Sequence, residues 1–160
     1  MGVIFLVDDV IINKQETIKR CIKRINEVYE NDFDNLQDYT KQDSIVLNIQ
    51  RLCQAAIDIA MHIIAEFELG VPQSSREAFY ILEKEEIIDK DLAEKLKAMV
   101  GFRNLAVHDY QELKLKIIQS IIEKNLNDIK EFSEIIKKEV KKREKDEEEK
   151  LEVEEDSCKG

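Results

Sequence analysis

Apolar residues recur along this chain at intervals of three and four, the period of a helix face. Ile11, Ile18, Ile22, Ile25 and Val28 share one face and predict a first helix over about 10–30, with Asp8-Asp9 placed to cap it. Asn31 to Tyr39 is polar and aromatic and predicts a turn. A longer helix follows over about 41–69. Ile45, Leu47, Ile49, Leu52, Ile57, Ile59, Met61, Ile63, Ile64 and Phe67 nearly surround it, so it is expected at the centre of the molecule. Its polar positions Arg51, Gln54, Asp58, His62 and Glu66 form one narrow stripe, and Gly70-Val71-Pro72 is expected to end it.

Ser74 or Ser75 can cap a short third helix, about 76–86, and Asp89 or Asp91 a fourth that runs into GFRNLAVHDY at 101–110. Two more helical stretches, about 112–123 and 126–142, are separated by a break expected near Asn125. No fixed-period repeat is present. The pattern predicts an all-α fold, an up-and-down bundle of about four to five main helices, occupying residues 1–142. After it, KKREKDEEEKLEVEED has little to bury, so 143–160 is expected to be a frayed helix end and a disordered charged tail.

Composition agrees with helices: one Pro, four Gly and no Trp in 160 residues, with 38% charged. Three cysteines without a CxxC pair (Cys21, Cys53, Cys158) favour a reducing, cytoplasmic setting and no structural zinc. MGVIFLV lacks a basic flank and is too short for a signal peptide or a membrane span. The net charge is −10, and the stretch 137–160 holds eight basic and ten acidic residues, so the remaining 136 residues carry −8. A general nucleic-acid coat protein would be basic. Any contact with RNA therefore needs a local basic patch or a partner.

Within GFRNLAVHDY, Arg103 and His108 are five residues apart, about 140° around a regular helix. They would not share a face, whereas Asn104 and His108, at i and i+4, would, so Asn104 could hold one ring nitrogen of His108. Joint action of Arg103 and His108 needs either a helix end between them or a second chain. Cleaving RNA without a metal takes a base for the 2′-hydroxyl, an acid for the leaving oxygen and a cation for the charge building on phosphorus. Two copies of the chain around a two-fold axis would supply two histidines and two arginines, which is that set. The same spacing also fits a capped helix end with a structural arginine and a half-buried histidine.

RNLAVHDY, with a polar residue after Arg103, an apolar one before His108 and Tyr110 two beyond it, resembles the signature of the HEPN superfamily, and most of all its HepT ribonuclease toxins. The resemblance extends to DDVIINKQETIKRCIKRINEVYE, to RLCQAAIDIAMHIIAEFELGVPQSSREAFYIL and to LAEKLKAMVGFRNLAVHDY, covering roughly residues 8–140. It implies an all-α bundle that forms a homodimer. It also implies a metal-independent endoribonuclease toxin acting on tRNA or mRNA without a cofactor, with Arg103 and His108 catalytic and Asn104 orienting. Tyr110 would be the target of AMPylation by an antitoxin of the minimal nucleotidyltransferase type (MntA).

Other residues carry competing readings. Asp58 and His62 could begin a metal site, but only one other histidine exists, so the stripe reads better as a polar seam or as cleft lining, with Asp58 near the active cleft. Arg76 and the 141–143 run KKR are the basic spots beyond the motif, and Phe79 and Tyr80 either pack in the core or stack on bases. Two functional classes compete with the nuclease. One is a catalytically silent HEPN binding module that scaffolds a nucleotidyltransferase; the other is a purely structural helical dimer.

Overall fold

The structure is a computed structural model that describes the backbone over residues 2–108 and 115–159 and the side chains over 9–104 and 115–159. Among the described residues there is no strand. Helix α1 spans Gly2–Tyr29, and a 3-10 turn at Phe33–Gln37 leads into α2, Tyr39–Glu66. Then come α3 (Ser75–Lys84), α4 (Lys90–His108), α5 (Leu115–Ser120), a π-helical segment (Ile121–Asn125) and α6 (Leu126–Cys158).

The α1–α2 hairpin is the frame. Ile11, Ile18 and Ile25 of α1 lie against Ile45, Ile49, Leu52, Ile59 and Ile63 of α2, all essentially without solvent contact. As the apolar residues almost encircling it predict, α2 is central: it touches α1, α3, α4 and α6. Phe132 of α6 meets Phe79 of α3 edge to face at 5.6 Å, and Gln15 of α1 donates to the Ser133 carbonyl at 2.9 Å, pinning α6 across the bundle.

The helix ends follow local chemistry. Asp38 accepts from the Lys41 amide at the start of α2, and Asp89 from the Leu92 amide at the start of α4. At α3, Ser74 accepts from the Glu77 amide while the Glu77 carboxylate accepts from the Gln73 amide, a capping box closed one residue early. Two ends are closed by left-handed glutamates. The first is the end of α2, where the left-handed residue is Glu68 (φ 53°), with Leu69 donating to the Ile64 carbonyl, rather than Gly70. The second is the end of α3, where Glu86 (φ 58°) plays that part and Ile87 donates to Leu82.

Three element boundaries differ from expectation. α1 begins at Gly2, so Asp8-Asp9 lie inside the helix and do not cap it. The break expected near Asn125 is a π-helical turn at Ile121–Asn125 that joins α5 to α6 without interrupting helical structure. Beyond Lys142, where a disordered tail was expected, α6 continues through Cys158, with residues 145–159 all exposed.

Candidate active site

α4 carries the motif and passes under α2. Met99, Val100 and Phe102 are buried and fix the helix, which leaves Arg103 half-exposed at the surface beside α2. The helix is continuous through His108, so no helix end falls between Arg103 and His108 and the two positions diverge around one helix. The His108 side chain and residues 109–114, including Tyr110, lie outside the described residues.

Arg103 is held on both edges. Its Nε and Nη2 both donate to the Asn104 side-chain carbonyl, at 3.2 and 2.6 Å, and its Nη1 donates to Oε1 of Gln54 at 2.7 Å. Gln54 in turn donates from Nε2 to Asp58 at 2.9 Å, and Asp58 pairs with Lys14 of α1 at 2.9 Å. A flipped Gln54 amide would set NH₂ against the guanidinium and oxygen against the carboxylate, so the two charged neighbours fix its orientation. The line Lys14–Asp58–Gln54–Arg103–Asn104 thus joins α1, α2 and α4 around one guanidinium.

Asp58 therefore stands one residue removed from Arg103, through Gln54. Asn104 has its carbonyl committed to Arg103, so only its NH₂ could reach the imidazole for which the i, i+4 spacing suggested it. Gln54 is the member least visible from sequence. Its signal was its place four residues before Asp58 on the polar stripe, but the stripe alone does not say which helix faces it.

Cys53, the buried neighbour of Gln54, is not a nucleophile. Burial pushes its thiol from 9.0 up to about 12, against the opposing pull of the Arg103 cation, so it stays protonated at neutral pH. His62 is exposed, and no three metal-ligating side chains come together among the described residues. Of the remaining basic and aromatic candidates, Phe79 is core and Tyr80 is half-exposed under the Lys97 ammonium. Arg143 pairs with Glu139 and lies over the Phe67 ring, while Lys141 and Lys142 are exposed.

A guanidinium fixed at the surface on the same helix as a histidine is what phosphodiester chemistry needs on the cationic side. Residues 18–136 match the family described as Ribonuclease HepT-like. The chain belongs to that family.

Its relatives agree over most of its length. The "mRNA nuclease HepT" of Shewanella oneidensis is 51% identical over 133 residues, which is 83% of this chain and all of that protein. The "tRNA nuclease HepT" of Aphanizomenon flos-aquae is 34% identical over 80 residues, 50% of this chain and 54% of that one. Among solved structures, a tri-AMPylated Shewanella oneidensis HEPN toxin in complex with its MNT antitoxin superposes with a TM-score of 0.77. It is 52% identical and covers 81% of this chain and 97% of its own. The bundle described above is the HepT-like fold, and both Arg103 and His108 fall inside the matched segment.

Proposed function

We propose that this chain is the toxin of a HEPN/MNT toxin–antitoxin pair, a metal-independent endoribonuclease that works as a homodimer. The observation that carries this reading is the clamped Arg103 on a helix continuous through His108. On such a helix the two positions point about 140° apart, which favours a site where the guanidinium of one protomer meets the imidazole of its partner at one phosphate.

In that composite site, one His108 takes the proton of the RNA 2′-hydroxyl as its oxygen attacks the adjacent phosphorus. The 5′-oxygen bond breaks, and the partner subunit's His108 protonates the leaving oxygen. The products are a 2′,3′-cyclic phosphate and a 5′-hydroxyl. The Arg103 pair neutralises the charge that accumulates on the phosphoryl oxygens. Asn104 and Gln54 hold the guanidinium, with Asp58 behind them.

The relatives' complex with an antitoxin supports a nucleotidyltransferase partner of the MntA type, which would move AMP from ATP to the Tyr110 oxygen with loss of pyrophosphate. Each added phosphate brings negative charge and bulk two residues from His108, which would repel an RNA strand. Among the described residues no helix is long and apolar enough to cross a membrane, and with its unpaired thiols the chain fits work in the cytoplasm.

Purified protein is expected to cut single-stranded RNA in the presence of EDTA. His108→Ala and Arg103→Ala are each expected to lower the rate by roughly 10²-fold or more. Cleavage that survives in both variants would remove the assignment. Stable co-purification with the nucleotidyltransferase but no cleavage by the wild-type chain would favour a silent scaffold.

A further inference from the structure

Arg76 and Tyr80 are four residues apart on α3 and so share a face, and that face meets α4. The Arg76 guanidinium lies on Gly101: a Cβ added there would come within 2.8 Å of Nη2. One turn earlier on α4, the Lys97 ammonium sits 5.6 Å from the centroid of the Tyr80 ring, which is 51% exposed. Lys97, Gly101, Asn104 and position 108 follow one another at i+4, i+3 and i+4, a single stripe along α4. Gly101 stands about 10 Å along the axis from position 108, and Lys97 about 16 Å.

Arg76 forms no ion pair with any described residue, and Lys97 has only the exposed Glu94 carboxylate at 3.3 Å. One cation without an ion pair among the described residues, a second paired to an exposed carboxylate and one half-exposed aromatic ring thus lie on or against the stripe that leads to position 108, in a chain of net charge −10. Such a pairing of phosphate-holding cations with a stacking ring is how single-stranded nucleic acid is bound without base-edge readout. Gly101 leaves room for this approach, because a Cβ there would make the end of the Arg76 side chain shift.

We propose that Arg76, Tyr80 and Lys97 form a track for the single strand of RNA flanking the cut, Tyr80 stacking on a base and the two cations holding backbone phosphates. The track rests on the nuclease reading of Arg103 and His108 and adds to it where the rest of the substrate lies.

The test uses the full chain carrying His108→Ala, so that RNA stays intact, and a fluorescein-labelled single-stranded RNA of mixed sequence titrated by anisotropy at several salt concentrations. Arg76→Ala, Tyr80→Ala and Lys97→Ala are each expected to weaken binding roughly three- to ten-fold, and Tyr80→Phe to restore it. Each cation removed should lower the slope of log K against log salt by about 0.7. Gly101→Ala, which makes the guanidinium shift, should weaken binding less than Arg76→Ala does and add nothing in the Arg76→Ala background. Lys19→Ala, a charge removed elsewhere on the surface, should change nothing. With His108 restored, the same substitutions should raise KM and spare kcat.

Unchanged affinity in all three track variants, while wild-type protein cuts RNA, would overturn the track alone. No cutting by the wild type and no RNA binding by His108→Ala would overturn the nuclease reading and the track with it. Track variants that bind RNA normally but lose the co-expressed nucleotidyltransferase would make the strip a protein contact instead, which also overturns it.

Discussion

Arg103 commits one N–H from each of its three nitrogens to Asn104 and Gln54, which leaves two of its five donors for a substrate oxygen pair. A free arginine would have to give up rotamer freedom on meeting phosphate; this one has given it up in advance. Gln54→Ala is therefore expected to cost activity rather than stability. The hydrogen bonds are exposed, so unfolding free energy should change by about 0.5 kcal/mol or less, whereas kcat should fall about ten-fold from a misplaced cation. Steady-state cleavage kinetics beside a urea melt checks this; an unchanged kcat with a lowered melt midpoint would make Gln54 merely structural. Arg103 and His108 became candidates through the resemblance carried by RNLAVHDY, since their spacing alone fits a capped helix end equally well. Gln54 was not, because its role depends on α2's polar stripe meeting α4, a fact of packing. Asn104 was legible as a member of the motif, but its i, i+4 geometry said nothing of the closer guanidinium that takes its carbonyl.

At the scale of elements, apolar periodicity located the helices, and local chemistry decided where they end. The caps at Asp38, Ser74 and Asp89 use short polar side chains at the positions where the periodic pattern starts. The C-terminal ends were harder to read, since glutamates occupy the left-handed positions that usually announce themselves as glycine. A non-glycine residue there costs about 1–2 kcal/mol, and glycine returns part of that gain as chain entropy in the unfolded state. Glu86→Gly is thus expected to stabilise the protein by about 0.5–1 kcal/mol, raising Tm by roughly 2 °C. Glu85→Gly, one residue earlier at φ −81°, should destabilise it. Calorimetry on the two variants decides between them, and equal shifts would refute the strain at Glu86. The charged end of α6 runs on as helix through Cys158 with residues 145–159 exposed, so apolar periodicity carries no sign of it.

For the molecule as a whole, the tension in the sequence is an acidic chain assigned to RNA, and the proposed track would ease it locally with Arg76, Lys97 and Arg103 near the motif. What one chain cannot supply is the second half of the proposed site. With α4 continuous through His108, positions 103 and 108 lie about 140° apart around one helix, and a sequence read alone carries no record of a surface that would face them. The consequence is measurable by mixing. Wild-type chain is allowed to exchange subunits with an Arg103→Ala/His108→Ala double variant while the amount of wild type is held constant. If each site draws on both chains, mixed dimers are dead. An equal amount of variant should then roughly halve the total activity, and a large excess should take it towards zero, because wild-type chains become sequestered with inactive partners. If each chain cuts RNA by itself, activity should not respond to the variant at all. Subunit exchange is followed independently by native mass spectrometry with one form isotopically labelled, so that flat activity alongside demonstrated mixed dimers would exclude a shared site.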